Sequence, residues 1–175
     1  KDQIQTLGEI RSIVGFYNKG ILNNGTHMLD LIGFLFGDLV VDFVGKKLED
    51  YDEDDPTVPV LMHTTQGLPV HLTVGHAADF SLFELQIVAE KEVIVMKDGG
   101  SYWLQQSPVA SKKYSGYRTL GSAQETAGEH DSAMRRAYEN IYLAISTGVP
   151  LQSDCSNALK AQVLAEKIRQ LATVE

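Results

Sequence analysis

Three polar residues near the start of the chain have the types and spacing needed to bind a ligand and move a proton. Asn23, His27 and Asp30 stand at positions i, i+4 and i+7 of a predicted helix, so they share one helix face. An imidazole with an ordinary pKa of about 6.5 suits proton transfer at cellular pH. A side-chain amide can hydrogen-bond to a hydroxyl group. The stripe therefore either pairs internally or faces a ligand.

Each of these residues has a plainer alternative. His27 could be a core histidine held by Asp30 or by the backbone, and Asp30 is interpreted as a structural partner that orients its neighbours. Asn23 or Asn24 could simply be the N-cap of the helix. The helix is apolar over most of residues 28–36, which predicts that it is covered on most sides. An unsatisfied polar group there would cost about 1–3 kcal/mol, so the stripe needs partners.

Size, composition and charge limit the classes of protein that fit. The chain has 175 residues, 43% of them hydrophobic, which is enough for one domain with its own core. A formal net charge of -8 argues against nonspecific nucleic-acid binding. Cys155 is the single cysteine, so no disulfide forms within the chain and no metal site rests on thiolates. We interpret Cys155 as structural.

The sequence also bears on location. No apolar run reaches the roughly 18–20 residues of a membrane span, and the chain opens Lys-Asp-Gln-Ile-Gln without an apolar signal region. We therefore expect a cytoplasmic protein with no membrane partner. The chain also lacks an initiator methionine, which leaves open whether it is a natural product or a piece of a longer protein.

Alternating and β-branched runs predict a series of strands. They cover residues 10–16, 40–44, 58–64, 70–75, 80–90, 93–97 and 101–106. Asp98-Gly99-Gly100 is a hairpin turn signal, and most other connections are also short. Short connections predict a largely antiparallel sheet.

The remaining segments are predicted to be helices or loops. The first helix ends at Gly37, a second begins at an Asp131 cap and ends at Gly148, and a third begins at a Ser153 cap. The acidic residues 49–55 and the polar residues 107–130 are interpreted as loops. The predicted apolar faces are Met134, Ala137, Tyr138, Ile141 and Ile145 on the second helix, and Leu159, Val163, Ile168 and Leu171 on the third.

This order of elements predicts an α+β domain over residues 1–175, with an antiparallel open sheet and helices on one face. The other face of the sheet, with Phe83, Leu85 and Ile87 or their neighbours, then needs a cover. We expect another subunit to supply it, which makes the protein a homo-oligomer, a dimer or a tetramer.

Several motifs in this order resemble a known family. Residues 17–30 contain Gly25-Thr26-His27-Met28-Leu29-Asp30, a Gly-x-His-x-x-Asp core. Asp54-Asp55-Pro56-Thr57 and a hairpin at Gly67 follow, and then residues 80–85 (Phe-Ser-Leu-Phe-Glu-Leu). Over nearly its whole length the chain is similar to the C-terminal domain of the Gfo/Idh/MocA oxidoreductases, the glucose-fructose oxidoreductase and inositol dehydrogenase family.

The resemblance implies a substrate-binding and oligomerisation domain. Full-length members carry an N-terminal Rossmann domain that binds NAD or NADP, and they transfer hydride at a CH–OH group of a sugar, polyol or sugar nucleotide. This chain has neither a Gly-x-Gly-x-x-Gly after a strand nor the family's Glu-Lys-Pro segment. The resemblance therefore implies an NAD(P)-dependent parent enzyme, with no cofactor bound by this fragment and no activity in the fragment alone.

The resemblance also implies roles for individual residues. His27 matches the family's proton-transferring histidine, while Asn23 stands where the family has an Asp. Asn cannot act as a base, so it would position a hydroxyl group instead. Lys19, Asn24 and Tyr17 are further candidates for substrate contact, by charge, by hydrogen bonding and by stacking on a sugar ring. For Lys19 and Tyr17 the alternatives are a solvated loop lysine and a packed tyrosine.

Two other interpretations stay open at this point. The departure at Asn23 favours a non-catalytic sugar-binding or assembly module that kept the fold and lost the chemistry. An unrelated α+β ligand-binding domain would predict that His27 contacts no cavity.

Two other groups of residues have types that could form a site. His63 and His71 fall on opposite faces if the hairpin turns about Gln66-Gly67, so we predict no metal site. Tyr114, Tyr117 and Arg118 lie in the predicted long loop. They could rim the substrate pocket or a subunit contact, and the sequence does not decide between these.

Overall fold

The computed structural model describes residues 2–172, which form twelve strands and three α-helices. The strands are β1 Ile10–Tyr17, β2 Leu39–Val44, β3 Leu48–Asp52, β4 Asp55–Thr57, β5 Val60–Thr64, β6 Pro69–Val74, β7 Phe83–Ala89, β8 Val93–Lys97, β9 Tyr102–Gln106, β10 Pro108–Ala110, β11 Arg118–Leu120 and β12 Gln124–Ala127. The helices are α1 Thr26–Phe36, α2 Ala133–Thr147 and α3 Cys155–Ala172. None of the helices in residues 2–172 is long and apolar enough to cross a membrane.

Eight strands form one open sheet in the order β12-β9-β8-β7-β1-β6-β5-β2. Within residues 2–172 the pair β1–β6 is the one parallel pair, and the other neighbours are antiparallel. The predicted α+β class with a largely antiparallel open sheet is confirmed. The seven strands predicted from alternation are all present, because alternation reports which residues face the core.

Two segments predicted to be loops contain strands. The acidic residues 49–55 lie in a small hairpin formed by β3 and β4. Residues 107–130 contain a second small hairpin, β10–β11, and also β12, which pairs with β9 at the edge of the main sheet. These strands escape prediction because nearly all of their residues are exposed or polar, so no alternating pattern marks them.

Helix α1 packs against one face of the sheet through Met28, Leu29 and Ile32, which are all buried. The helix comes close to the centre of the sheet because β1 carries Gly15 there. A Cβ at Gly15 would lie 2.7 Å from Leu72 Cδ2 and 3.0 Å from Met28 Cγ. The missing side chain lets the site-bearing helix lie directly on β1 and β6.

The third helix packs against α1 by a face that the sequence did not predict. Its buried residues are Ala161, Ala165, Ile168 and Ala172. Three of the four residues predicted to face the core are instead exposed, namely Leu159, Val163 and Leu171. Small side chains permit close helix–helix approach, so the alanine row faces α1 in place of the larger residues. The prediction was wrong because it ranked residues by hydrophobicity alone.

The second helix covers nothing in the described chain. It ends as predicted at Gly148, which has a left-handed φ of 75°. Yet none of its residues is buried, and its apolar face is open to solvent. The exposed members of that face include Met134, Tyr138, Ile141, Tyr142 and Ile145.

The face of the sheet opposite α1 is also uncovered. Phe43, Leu61 and His71 lie side by side on it, since Phe43 pairs with Leu61 and Leu61 pairs with His71. Phe43 is 60% exposed and Leu61 44%. Leu85 and Ile87, offered as possible members of this face, are buried on the helix side instead. Their neighbours Glu84, Gln86 and Val88 occupy the open face.

Candidate functional site

The site-bearing helix begins earlier than the sequence predicts, with a π-helical turn over Gly20–Gly25 that runs on into α1. Asn23 and Asn24 therefore lie inside the helical segment, and neither is its N-cap. The N-cap position is Lys19, whose φ of 64° and ψ of 44° are left-handed. The wider π turn sets the direction in which the following side chains project. Such turns are frequent at functional sites.

The polar stripe faces solvent rather than the core. Asn23 and His27 are exposed and Asp30 is half-buried, while the opposite face of α1 carries the residues that meet the sheet. Among the described side chains, none forms a hydrogen bond or ion pair with the His27 ring, the side-chain amide of Asn23 or the Asp30 carboxylate. Helix α1 is covered on most sides as expected, since His27 and Phe34 are its two exposed residues, but Asn23 and His27 lie on the uncovered strip. Exposure leaves the Asn23 and His27 side chains accessible to a ligand.

Lys19 is held in its left-handed conformation by a buried carboxylate. Its backbone N–H donates to Asp50 Oδ2 at 2.8 Å. A non-glycine residue in this conformation stores about 1–3 kcal/mol of strain and is retained where the surroundings fix it. The Lys19 side chain is half-buried beside the start of the π turn, a position compatible with the predicted contact to an anionic substrate group.

Asp50 joins three segments of the chain. Its side chain is 0% exposed, and besides the Lys19 amide it accepts hydrogen bonds from the Thr57 hydroxyl at 2.9 Å and from the Ala77 N–H. Burial acts to raise the pKa of Asp50, but these hydrogen bonds outweigh burial and hold the pKa below its usual value. Asp50 is therefore a charged anchor for the strand-to-helix junction.

Asp55 takes the free amides of the π turn. Its Oδ1 accepts from Leu22 N–H at 2.7 Å, and its Oδ2 accepts from Asn23 N–H at 3.0 Å. Thr57 Oγ1 accepts from Gly20 N–H at 2.8 Å. Burial raises the pKa of Asp55, and the two amides only partly offset this effect. The acidic stretch that the sequence suggested was a solvated loop thus caps the site helix.

Tyr17 belongs to the core and not to the site surface. Its side chain is 0% exposed. Its hydroxyl donates to the Val58 carbonyl at 2.7 Å and accepts from the Val58 N–H at 2.9 Å. Burial raises the pKa of this hydroxyl. This location corrects the expectation that Tyr17 contacts substrate, because both faces of the ring are covered by the protein.

Two cavities adjoin α1. One, of about 820 Å³, lies at its C-terminal end beside Arg11, Phe36 and Leu68. The other, of about 1000 Å³, lies between α1 and α3 and is lined by Asp30 among others. Neither is lined by Asn23 or His27, so the stripe stands on an open face in this chain and meets the larger cavity only through Asp30.

The histidines of the β5–β6 hairpin share a face. His63 pairs with Pro69, and Leu61 pairs with His71, so the hairpin centres on Gln66 and not between Gln66 and Gly67. The prediction of opposite faces was wrong by one residue of register. His63 instead meets Asp42, with Nδ1 2.8 Å from the carboxylate. Among residues 2–172, no three His, Cys, Asp or Glu side chains are grouped to hold a metal ion.

Tyr114, Tyr117 and Arg118 lie at the β10–β11 hairpin, all exposed. The two tyrosine rings meet edge to face with centroids 6.1 Å apart, and Lys113 Nζ lies 5.2 Å from the Tyr114 ring centre. The structure gives these residues a local packing role at the hairpin tip.

Sequence reasoning missed Asp50, Asp55 and Thr57, which hold the junction before the site helix. The sequence predicted an N-cap at Asn23 or Asn24, so it gave no sign that the first amides lack a local acceptor. That need appears only because the helix starts at Gly20, after Lys19.

Comparison with known proteins identifies the fold. No protein-family model and no curated protein sequence matches the chain. Solved structures do match. A protein of Desulfitobacterium hafniense DCB-2 classed as an NADPH-dependent oxidoreductase superposes with a TM-score of 0.70 at 13% identity, over 97% of this chain and 56% of that one.

Two further matches are enzymes named for sugar-nucleotide or keto-group chemistry. A variant of KijD10, a 3-ketoreductase from Actinomadura kijaniata in complex with TDP-benzene and NADP, gives a TM-score of 0.65 at 16% identity over 97% of this chain and 55% of that one. The UDP-N-acetylglucosamine 3-dehydrogenase GnnA from Acidithiobacillus ferrooxidans gives 0.64 at 14% identity over 97% and 56%. The chain has the fold of a Gfo/Idh/MocA oxidoreductase C-terminal domain.

The predicted resemblance to Gfo/Idh/MocA proteins is thereby confirmed at the level of the fold. The chain spans little more than half the length of each of these structures. At sequence identities of 13–16%, the matches establish only that the elements are arranged in the same fold. The role of each residue must be argued from the geometry of the site.

Proposed function

We propose that the chain is the substrate-binding domain of an NAD(P)-dependent oxidoreductase acting at a CH–OH group of a sugar, polyol or sugar nucleotide. One observation carries the proposal. In a fold shared with such oxidoreductases, the helix lying on the sheet presents an amide and an imidazole, Asn23 and His27, on an exposed face without partners among the described side chains.

The chemistry of these groups fits handling of a hydroxyl. His27 would take or return the hydroxyl proton, and exposure gives its ring access to both substrate and bulk water. Asn23 would donate to or accept from a neighbouring hydroxyl. Lys19, beside the π turn, would meet a carboxylate or phosphate of the substrate, and Asn24 would add a second amide.

The start of the site helix does not fit a bound dinucleotide phosphate. A dinucleotide phosphate is commonly held by free amides at a helix N-terminus. Here the amides of Gly20, Leu22 and Asn23 are already taken by Thr57 and Asp55. In this proposal the cofactor phosphate is therefore not held at the start of the site helix.

The uncovered apolar face of α2 supports a larger assembly. Ile145 is 82% exposed and Tyr142 70%, a pattern that a stable domain surface rarely keeps. The open face of the sheet, with Phe43 and Leu61, is a second such surface. We propose that the sheet face joins subunits of a homo-oligomer and that the helix side meets the cofactor-binding part of the enzyme.

A second function is favoured by one residue. Asn23 stands where the resemblance implies a carboxylate, and an amide gives a neighbouring histidine no charge support. A non-catalytic sugar-binding or assembly module would retain the fold, bind a carbohydrate at the same stripe and transfer no hydride.

The deciding experiment compares this chain with the protein from its complete reading frame. Binding of NAD(H) and NADP(H) is measured by calorimetry on both, followed by a sugar, polyol and sugar-nucleotide activity screen. We expect binding only by the complete protein, and a kcat about 10²–10⁴-fold lower in His27→Ala. His130→Ala, an exposed histidine ahead of α2, is the matched control. Absence of nicotinamide binding by the complete protein would contradict the enzyme and favour the module.

A further inference from the structure

We propose that Asp55 is a positioning residue for the site, fixing the direction of Asn23 and His27 through the π turn, with Asp50 fixing Lys19 beside it. The proposal rests on the proposed function in one respect only, namely that Asn23, His27 and Lys19 contact the substrate. Neither carboxylate touches a substrate in this scheme. Both act through the backbone of the helix that carries the site.

The contacts of Asp55 are specific to the turn that decides where the site points. Its two oxygens take the amides of Leu22 and Asn23, one each, at 2.7 and 3.0 Å. At the other end of the turn, the Thr26 hydroxyl shares its proton between the carbonyls of Leu22 and Asn23, at 2.9 and 2.7 Å. The residue pair 22–23 is therefore held on both its amide and its carbonyl sides.

The carboxylate is fitted to this place by the absence of a side chain at Gly20. A Cβ there would overlap Asp55 Oδ2 and Cγ and would lie 2.7 Å from Oδ1. Gly20 also has a φ of 84°, which L residues avoid. Because Gly20 has no side chain, the Asp55 carboxylate can occupy the space beside the start of the site helix.

Asp50 has the corresponding role at the residue before the π turn. Its fully buried carboxylate holds the Lys19 amide, and the left-handed Lys19 backbone turns the chain from β1 into the π turn. The Thr57 hydroxyl links the two carboxylate contacts, because it donates to Asp50 and accepts from Gly20 N–H. A shift of the β3–β4 hairpin would therefore be passed directly to the site face.

If Asp55 had only a structural role, removing its carboxylate would lower the stability of the chain and leave Asn23 and His27 unchanged in the folded protein. If Asp55 positions the site, the main effect falls on Asn23 and His27. Removing the carboxylate should alter the environment of Asn23 and His27 while the sheet stays intact. Asp54 is a neighbouring exposed carboxylate of the same hairpin, and it supplies a control with equal loss of charge.

The test uses the isotopically labelled 175-residue chain without ligand, so it does not depend on catalysis. Asp55→Asn keeps one acceptor oxygen and Asp55→Ala keeps none. We expect hydrogen exchange about tenfold faster at one of the Leu22 and Asn23 amides in Asp55→Asn and at both in Asp55→Ala. The His27 ring signals should move in both variants, while the signals of β7 and β8 should not.

Asp54→Asn and Asp54→Ala should leave the two amides and the His27 ring signals at their wild-type values. The proposal is overturned if Asp55→Asn behaves like Asp54→Asn at these signals. It is also overturned if Asp55→Asn unfolds the whole chain, since the carboxylate would then hold the fold rather than the face. Failure of the nicotinamide and sugar assays would remove the proposed function and leave these signals unaffected.

Discussion

The carboxylate of Asp55 occupies the space that a side chain at Gly20 would need, since an ideal Cβ on Gly20 would overlap Oδ2. The two residues lie far apart in the sequence, and their contact joins the acidic hairpin to the first turn of the site helix. The relationship explains why the helix can begin without a capping side chain of its own.

The first prediction concerns that contact. Gly20→Ala should lower the free energy of unfolding by at least about 1–3 kcal/mol, because the left-handed backbone becomes strained and the Cβ displaces Asp55. Urea denaturation measures the change. Gly33→Ala is the matched control, since its Cβ would meet nothing within 4 Å. It lies within α1 and should stabilise by about 0.5–1 kcal/mol. Equal effects at the two glycines would contradict the argument.

A second prediction concerns the buried tyrosine. Tyr17→Phe should destabilise the chain by about 1–3 kcal/mol, because it leaves both the N–H and the carbonyl of Val58 without their partner. Thermal unfolding of the variant measures the loss. Tyr117→Phe removes a hydroxyl from a side chain that is 71% exposed and should change little. An unchanged unfolding midpoint in Tyr17→Phe would show that water replaces the hydroxyl.

A third prediction follows from the charge of Asp50. An unfolded aspartate takes up a proton near pH 3.8, and hydrogen bonds outweighing burial hold the folded pKa of Asp50 lower. Asp50 therefore contributes stability that is fully present above about pH 3.8 and is lost as the pH falls through its folded value. Asp55, whose folded pKa is raised by burial, contributes with the opposite sign.

The measurement is urea denaturation of the wild type and Asp50→Asn at near-neutral pH and in acid. The stability difference between them should be large at near-neutral pH and shrink in acid. Asp54→Asn, on the exposed part of the same hairpin, is the control for the loss of one carboxylate. A difference that grows toward acid would mean that the sign assigned to Asp50 is wrong.

A fourth prediction concerns the open face of the sheet. If this face joins subunits, Leu61→Glu should lower the sedimenting mass, because the interface would have to bury an unpaired carboxylate. Leu61 lies between Phe43 and His71 on that face. Leu159→Glu, at a 62% exposed position on α3, is the matched control. A monomeric wild type, or an unchanged mass in Leu61→Glu, would sink the proposed interface.

The sheet could be predicted from the sequence to a large extent. Strand β7 is an example of a strand whose sequence alternates between apolar and polar residues. Its buried residues are Leu85, Ile87 and Ala89, and Glu84 and Gln86 lie on the other face. The hairpin register was the weak point. A shift of one residue at Gln66 was enough to place His63 and His71 on the wrong relative faces.

The positions of α2 and α3 along the chain were predicted, but the face that α3 buries was not. Helix α2 begins and ends near its sequence signals, and α3 begins two residues after the predicted Ser153 cap. Which face α3 buries depends on how closely α1 approaches it, and that distance favours Ala161 and Ala165 over Leu159 and Val163. Hydrophobicity cannot report a distance between two helices.

The sequence by itself determined the α+β class, the strands with clear alternation and the ends of α1 and α2, because periodicity and end signals are local. It also predicted a shared face for Asn23, His27 and Asp30. Only the tertiary structure decided that this face is exposed, that its helix begins with a π turn, and that Asp50 and Asp55 hold that turn. The sequence does not show which distant carboxylate will accept hydrogen bonds from the backbone amides at a helix start. That choice is made when the β3–β4 hairpin packs beside the helix.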